Sequence, residues 1–140
     1  MRYSRRDVGL LLPALAAAGA QAQSKGMPSR CYRYEDLPVK ANGDNRSRDV
    51  FKGATHSGFP IDMHETELAP GKAPHPPHHH LHEELLVLRE GTLEVMIAGK
   101  TTTVGPGGVV YVNSGEEHGW RNTGTTRARY YVMALGRDEA

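Results

Sequence analysis

Five of the eight histidines of this 140-residue chain fall between positions 75 and 82, in the run His75-Pro76-Pro77-His78-His79-His80-Leu81-His82-Glu83-Glu84. Imidazole nitrogens and carboxylate oxygens are good ligands for first-row divalent metals, so the run reads first as a metal-binding candidate. On an extended segment residues i and i+2 share a face, so His78 and His80 can point together. Glu84 is also even-numbered and can lie on the same side. His82 shares that numbering, and strict alternation would add it to the set. His118 is distant in sequence but can be adjacent across a closed sheet. Three neutral histidines and one carboxylate leave a divalent ion with a single net positive charge. In octahedral coordination two positions then stay open for water, oxygen or substrate. The competing reading is a solvated, loosely metal-scavenging tract, which needs no distant partner such as His118.

The elements that must position these residues are short. From residue 51 onward, apolar segments alternate with turn signals, and strands are expected at 61–68, 83–89, 92–98, 100–104, 108–112, 117–122 and 127–135. Leu93, Val95 and Ile97 alternate with Glu94, Met96 and Ala98, a period of two. Gly99-Lys100 fits a tight hairpin of the Gly-X kind. After residue 22 no segment of a dozen residues carries a 3.6-residue apolar stripe. Regularly spaced strands with Gly turns predict an all-β sandwich or barrel, small enough to hold one ligand or metal at its centre.

At these residues the chain resembles the cupin superfamily, in particular its small single-domain members with a conserved barrel. The first family motif runs Gly, H-x-H, three or four residues, Glu, six residues, Gly. Gly71, His78-x-His80, Glu84 and Gly91 follow it. The second runs Gly, five residues, Pro, x, Gly, two residues, His, three residues, Asn. Gly107, Asn113, Ser114, Gly115, His118 and Asn122 follow that one. Two departures fall in turns: Gly71 stands one residue further from His78 than usual, and Asn113 replaces the proline. The resemblance covers about residues 60–135. It implies a single-domain cupin, a jelly-roll barrel or double-stranded β-helix. It implies one divalent metal ion held by His78, His80, Glu84 and His118, with Mn or Fe favoured and Zn or Ni as alternatives. A turn or bulge between His80 and Glu84 would then skip His82, leaving it near the mouth, with His79 facing away. Pairing as a homodimer is a further expectation of the resemblance.

Other candidates line the expected pocket. Trp120, two residues after His118, should point the same way and wall the cavity, or pack as a core aromatic. His82 and His64, with Glu65 and Glu67 beside His64, are candidates for an acid or base. Tyr130-Tyr131 places one ring inward and one outward.

The N-terminus reads as a targeting segment. Ser4-Arg5-Arg6-Asp7 precedes the apolar run Val8–Ala18, and Ala20-Gln21-Ala22 has the form that signal peptidase accepts. The paired arginines resemble a bacterial twin-arginine signal, with an ordinary Sec signal as rival. The expected layout is a signal peptide at 1–22, a polar N-terminal arm with one strand at 23–50, and the barrel domain at 51–140. The location is then periplasmic or secreted. Removing residues 1–22 takes three Arg and one Asp from 17 basic and 16 acidic residues, leaving 14 and 15. A net charge of −1 gives no reason to expect nucleic acid, and nothing after the signal predicts a membrane segment. The single cysteine, Cys31, cannot form an internal disulfide and is expected as a buried or terminal free thiol.

Fold alone does not settle activity. The leading expectation is a metal-dependent enzyme acting on a small-molecule substrate, with a dioxygenase as the leading subclass. The alternative is a non-catalytic module that binds a metal or small ligand.

Overall fold

Alternation along the strands decides which side chains enter the core. In Leu93–Ile97, Leu93 and Val95 are buried while Glu94 is not. In Ala128–Leu135, Ala128, Tyr130 and Val132 are buried and their odd-numbered neighbours are half-buried. Tyr130 is therefore the inward ring of the pair and Tyr131 the outward one. The structure, a computed structural model, describes residues 26–137, so the expected signal segment at 1–22 lies outside the described residues.

Among the described residues nine strands follow a 3-10 turn at Tyr34–Asp36: β1 (Val39–Asn42), β2 (Asn45–Ala54), β3 (Pro60–Leu68), β4 (Glu83–Glu90), β5 (Leu93–Ile97), β6 (Lys100–Val104), β7 (Val109–Val112), β8 (His118–Asn122) and β9 (Ala128–Leu135). Among the described residues there is no α-helix. The strands form a six-stranded sheet, β1-β2-β3-β9-β4-β7, and a three-stranded sheet, β6-β5-β8. Every strand pairing is antiparallel. This is the two-sheet jelly roll that the family resemblance implies, within the sandwich or barrel class that the strand spacing predicts.

The core lies between the sheets: Leu68, Leu86, Leu88, Val110, Val112, Ala128, Tyr130 and Val132 from the larger, Leu93, Val95 and Trp120 from the smaller. Fully burying a side chain of this size stabilises by roughly 1.5–3 kcal/mol, so these residues hold the two layers together.

Two details differ from expectation. The polar arm forms two strands, not one. β2 continues past residue 50 and pairs with β3 on both sides of a bulge at Val50, so the arm extends the larger sheet. The reason is long-range: this stretch has little apolar patterning of its own and is ordered by the edge of β3. The hairpin between β5 and β6 turns on Ala98-Gly99, not Gly99-Lys100, because Ile97 pairs with Lys100. Both turn residues have positive φ, +47° at Ala98 and +77° at Gly99, the pattern of a type I′ turn. That twist matches the flanking strands and here outweighs the strain on alanine. Cys31 is a free thiol exposed on the arm, the terminal one of the two expected alternatives.

Candidate metal centre

His78 and His80 stand in the loop before β4 and not on a regular strand, so their common direction has a different origin from simple alternation. His78 forms an isolated two-bond bridge with the start of β8: its N–H donates to the His118 carbonyl over 3.0 Å, and the His118 N–H donates back over 2.8 Å. Gly119 leaves room for this loop, since a Cβ there would sit 3.2 Å from Pro77. The His80 carbonyl accepts the Gly115 N–H over 2.9 Å. Gly115, at φ +76°, belongs to a turn closed by the Glu116 N–H donating to Asn113. The turn that carries Asn113 in place of proline thus also anchors His80.

Glu84 enters from β4. It pairs with Ala134 on one side and Val112 on the other, and Ala134 in turn pairs with Asp62, so these four form one inward-facing row across the larger sheet. His118 enters from β8 and is fully buried. The three imidazole centroids form a compact triangle, His78–His80 5.2 Å, His78–His118 4.8 Å and His80–His118 4.7 Å. Glu84 Oε2 lies 3.2 Å from His118 Nε2, and Glu84 Oε1 lies 3.6 Å from His80 Nε2. These separations fall within the roughly 4.2 Å that two donors about 2.1 Å from one ion can span.

Two of the rings have fixed tautomers. His80 Nδ1 donates to the His82 carbonyl and His118 Nδ1 to the Glu116 carbonyl, each over 2.8 Å. A carbonyl only accepts, so Nδ1 carries the hydrogen and Nε2 presents a lone pair. Burial, together with the neighbouring His75, His118 and His80, pulls the His78 imidazole below its ordinary pKa against the opposing pull of Glu84. Its neutral form, the one that ligates, is therefore favoured.

The fit to a cation rests on what these donors lack. Six buried side-chain polar atoms among the described residues have no hydrogen-bond partner, and four of them are His78 Nδ1, His80 Nε2, Glu84 Oε2 and His118 Nε2. Each buried orphan costs about 1–3 kcal/mol, and a bound cation would satisfy all four together. Imidazole lone pairs and a carboxylate oxygen suit a divalent ion. His78, His80 and His118 form one set of three donors within 4.8 Å of one another, and His80, His82 and Glu84 form a second.

The remaining candidates separate. His79 is exposed. Trp120 is both wall and core: its ring lies 5.8 Å from His118, tilted by 27°, and its Nε1 donates to the Tyr130 hydroxyl. His82 stacks on His80 with centroids 3.6 Å apart. His64 is half-exposed near the rim, its Nδ1 3.9 Å from Asp62, and it belongs to neither donor set. Glu65 and Glu67 point away from the metal donors. They lie on the far face of the sheet, bonded to Arg48, with Tyr34 donating to Glu67. Neither is placed to act as a base at the centre.

Some supporting residues gave no role to a reading of residue types. Asn122 is fully buried; its Nδ2 donates to the Leu68 and Thr126 carbonyls, and its Oδ1 accepts the Gly124 N–H. It ties the end of β8 to β3, and only its place in the second motif marked it. Arg48 had no signal, because its partners lie on β3.

Among the described residues, two of the cavities bear on the site. One, of about 430 Å³, lies between β5, β6 and β7 and touches none of the four donors. The other, of about 380 Å³, is lined by Lys52, Asp62, His82, Ala134 and Arg137 among others. Asp62 and Ala134 belong to the row that contains Glu84, so this cleft opens beside the donors.

Comparison with known proteins agrees with this architecture. Residues 64–134 match the cupin domain family model. No curated protein matches the chain. Among solved structures, an RmlC-like cupin from Shewanella frigidimarina superimposes with a TM-score of 0.66 at 16% identity, covering 82% of this chain and 96% of that one. The polyketide cyclase RemF from Streptomyces resistomycificus gives 0.64 at 24% identity, covering 81% and 83%. A predicted oxalate decarboxylase from Thermotoga maritima gives 0.67 at 18% identity, covering 77% and 100%. Each likeness is one of fold. With the family model spanning half of its length and both ligand motifs folded into one site, the chain belongs to the cupin family.

Proposed function

We propose that the protein is a metal-dependent enzyme acting on a small molecule, with one divalent ion held by His78, His80, Glu84 and His118. The observation that carries this is the set of four buried donor atoms without partners, one on each of those residues. Iron or manganese is preferred to zinc or nickel. When bound, the ion would supply a Lewis acid and, if iron, access to dioxygen chemistry, which makes a dioxygenase the leading subclass.

The chain's own residues do the rest. The bonds from His80 and His118 to backbone carbonyls hold both rings in the ligating tautomer. Trp120, packed against His118, keeps water from that side. The cleft beside Glu84 offers a place for substrate. Lys52 stands 3.6 Å from Asp62, so that pair is neutral and Arg137 adds one positive charge. This balance supports a small anionic substrate, such as a carboxylate or an enolate.

A twin-arginine route would carry the folded protein with its ion already in place, which suits a site that must keep iron or manganese from tighter-binding copper or zinc. If so, forcing export through an unfolded route changes the metal content of the protein recovered.

Elemental analysis of the protein purified from its native compartment without added metal tests the main proposal. Near-stoichiometric iron or manganese, lost in His80→Ala and Glu84→Ala, is the expected result. A folded protein without metal, and unable to take it up, would overturn the proposal.

A further inference from the structure

Each of the two histidines with a fixed tautomer has an aromatic ring two residues further along the chain. Trp120 lies against His118 with the planes 27° apart and the centroids 5.8 Å apart. His82 lies against His80 far more closely, at 13° and 3.6 Å. His82 also brings Nε2 to 3.8 Å from Glu84 Oε1, and His80, His82 and Glu84 offer donor atoms within 4.8 Å of one another. That proximity does not make His82 a ligand. The lone pair of an imidazole nitrogen lies in the plane of its ring, so those of two stacked rings run side by side and do not converge on one ion.

The flat contact acts instead on the orientation of His80. Its Nδ1 donates to the His82 carbonyl over 2.8 Å. That bond selects the tautomer, but one hydrogen bond is also an axis about which a ring can tilt, carrying Nε2 away from the ion. His78 and His118 meet the His80 ring at 63° and 72°, edge against face, with centroids 5.2 Å and 4.7 Å away. Of these three ring neighbours among the described residues, His82 alone lies flat against it. The side chains of His80 and His82 are only 11% and 14% exposed, so little water competes for the stacked faces.

Resting on the metal-centre reading above, we infer that His82 is a positioning residue for the ion. Its carbonyl selects the ligating tautomer of His80, and its ring fixes the plane in which Nε2 points. The ring also lines the cleft of about 380 Å³, which none of the four donor residues does. His82 is therefore the layer between that cleft and His80. What the site draws from this side chain is a flat face, not a nitrogen.

Metal-stripped protein titrated with Co²⁺ tests this, read by quenching of the chain's single tryptophan. Trp120 stacks on His118, so its emission reports on the ion site with no need for an activity assay. Two variants separate face from nitrogen. His82→Phe keeps a flat ring and removes both nitrogens, whereas His82→Ala removes the ring and keeps the backbone carbonyl. Should far-UV circular dichroism show His82→Ala unfolded, His82→Gln, which also lacks a ring, takes its place.

Wild type and His82→Phe are expected to bind Co²⁺ within about twofold of each other, and His82→Ala about five- to tenfold more weakly, the scale of a lost ring pair. Wild-type affinity in His82→Ala would overturn the inference, because the carbonyl alone would then hold His80. Equal losses in both variants would overturn it too, because the nitrogens and not the face would then matter. Absence of Co²⁺ uptake by the wild-type protein is a different failure, that of the metal-centre reading itself.

Discussion

Trp120 Nε1 donates to the Tyr130 hydroxyl over 2.7 Å across the barrel interior, linking the smaller sheet to the larger through the only polar atoms of two core rings. The rings meet edge to face with centroids 5.9 Å apart. Burial holds the Tyr130 phenol far above its ordinary pKa, so it stays protonated and acts as a structural group, not as a base. Tyr130→Phe is expected to leave the indole N–H unsatisfied and to cost about 1–3 kcal/mol. Urea unfolding followed by Trp120 emission measures this, and an unchanged midpoint would show that the bond contributes nothing.

Metal should stabilise the fold measurably. An ion present at about a hundred times its dissociation constant adds roughly 2.7 kcal/mol. For a domain of this size that is a rise in Tm of about 10 °C. Adding Mn²⁺ or Fe²⁺ to stripped protein in a thermal scan tests this. Glu84→Ala and His80→Ala are expected to lose the rise, whereas the exposed His79→Ala keeps it.

The strands and the ligands were legible in the sequence for different reasons. Alternation at Leu93-Glu94-Val95 announces a half-buried strand because burial itself has a period of two there. His78, His80, Glu84 and His118 were legible only as a spaced pattern, since His78 and His80 sit in a loop where alternation has no force. What brings them together, the backbone bridge to His118 and the Gly115 turn, is tertiary. The same holds for the Arg48 cluster. A charged residue in a polar arm looks solvated until β2 lays it against Glu65 and Glu67, and no local pattern encodes that contact.

Acid should weaken the metal-free protein through His78. Its folded-state pKa lies below the ordinary value, because burial and neighbouring histidines disfavour the charged ring. The unfolded chain therefore takes up the proton first as pH falls. The stability linked to this group is complete above about pH 6.5 and is lost as pH drops from there through the folded-state pKa. Urea unfolding with chelator at several pH values between 7.5 and 5 is expected to show this decline, and His78→Asn to show a shallower one. Equal slopes in the two proteins would exclude His78 as the source.

Arg48 should prove the most sensitive residue outside the metal site. Its Nη1 bonds Glu65 Oε2 over 2.9 Å and also Glu67 Oε1, and its guanidinium lies over the Tyr34 ring at 4.5 Å. Burial tends to raise both carboxyls. The Arg48 and Tyr34 hydrogen bonds nevertheless hold Glu67 below its usual value, while Glu65 stays above. Arg48→Met removes the charge that offsets two buried carboxylates, and the loss of one partner of a buried ion pair costs about 3–5 kcal/mol near neutral pH. The pH dependence should then reverse locally. Without Arg48 the burial of Glu65, already raised, loses its main opposing cause, so the folded variant binds a proton there before the unfolded chain does. Its stability accordingly rises as pH falls from 7 toward the ordinary carboxylate range, about 4.3 for Glu. Wild-type Glu67, with its lowered pKa, contributes in the opposite sense, losing stability as pH drops through its folded-state value. Unfolding curves for the two proteins from pH 7 to pH 5 are therefore expected to converge. A constant gap between them would show that Arg48 acts through packing alone.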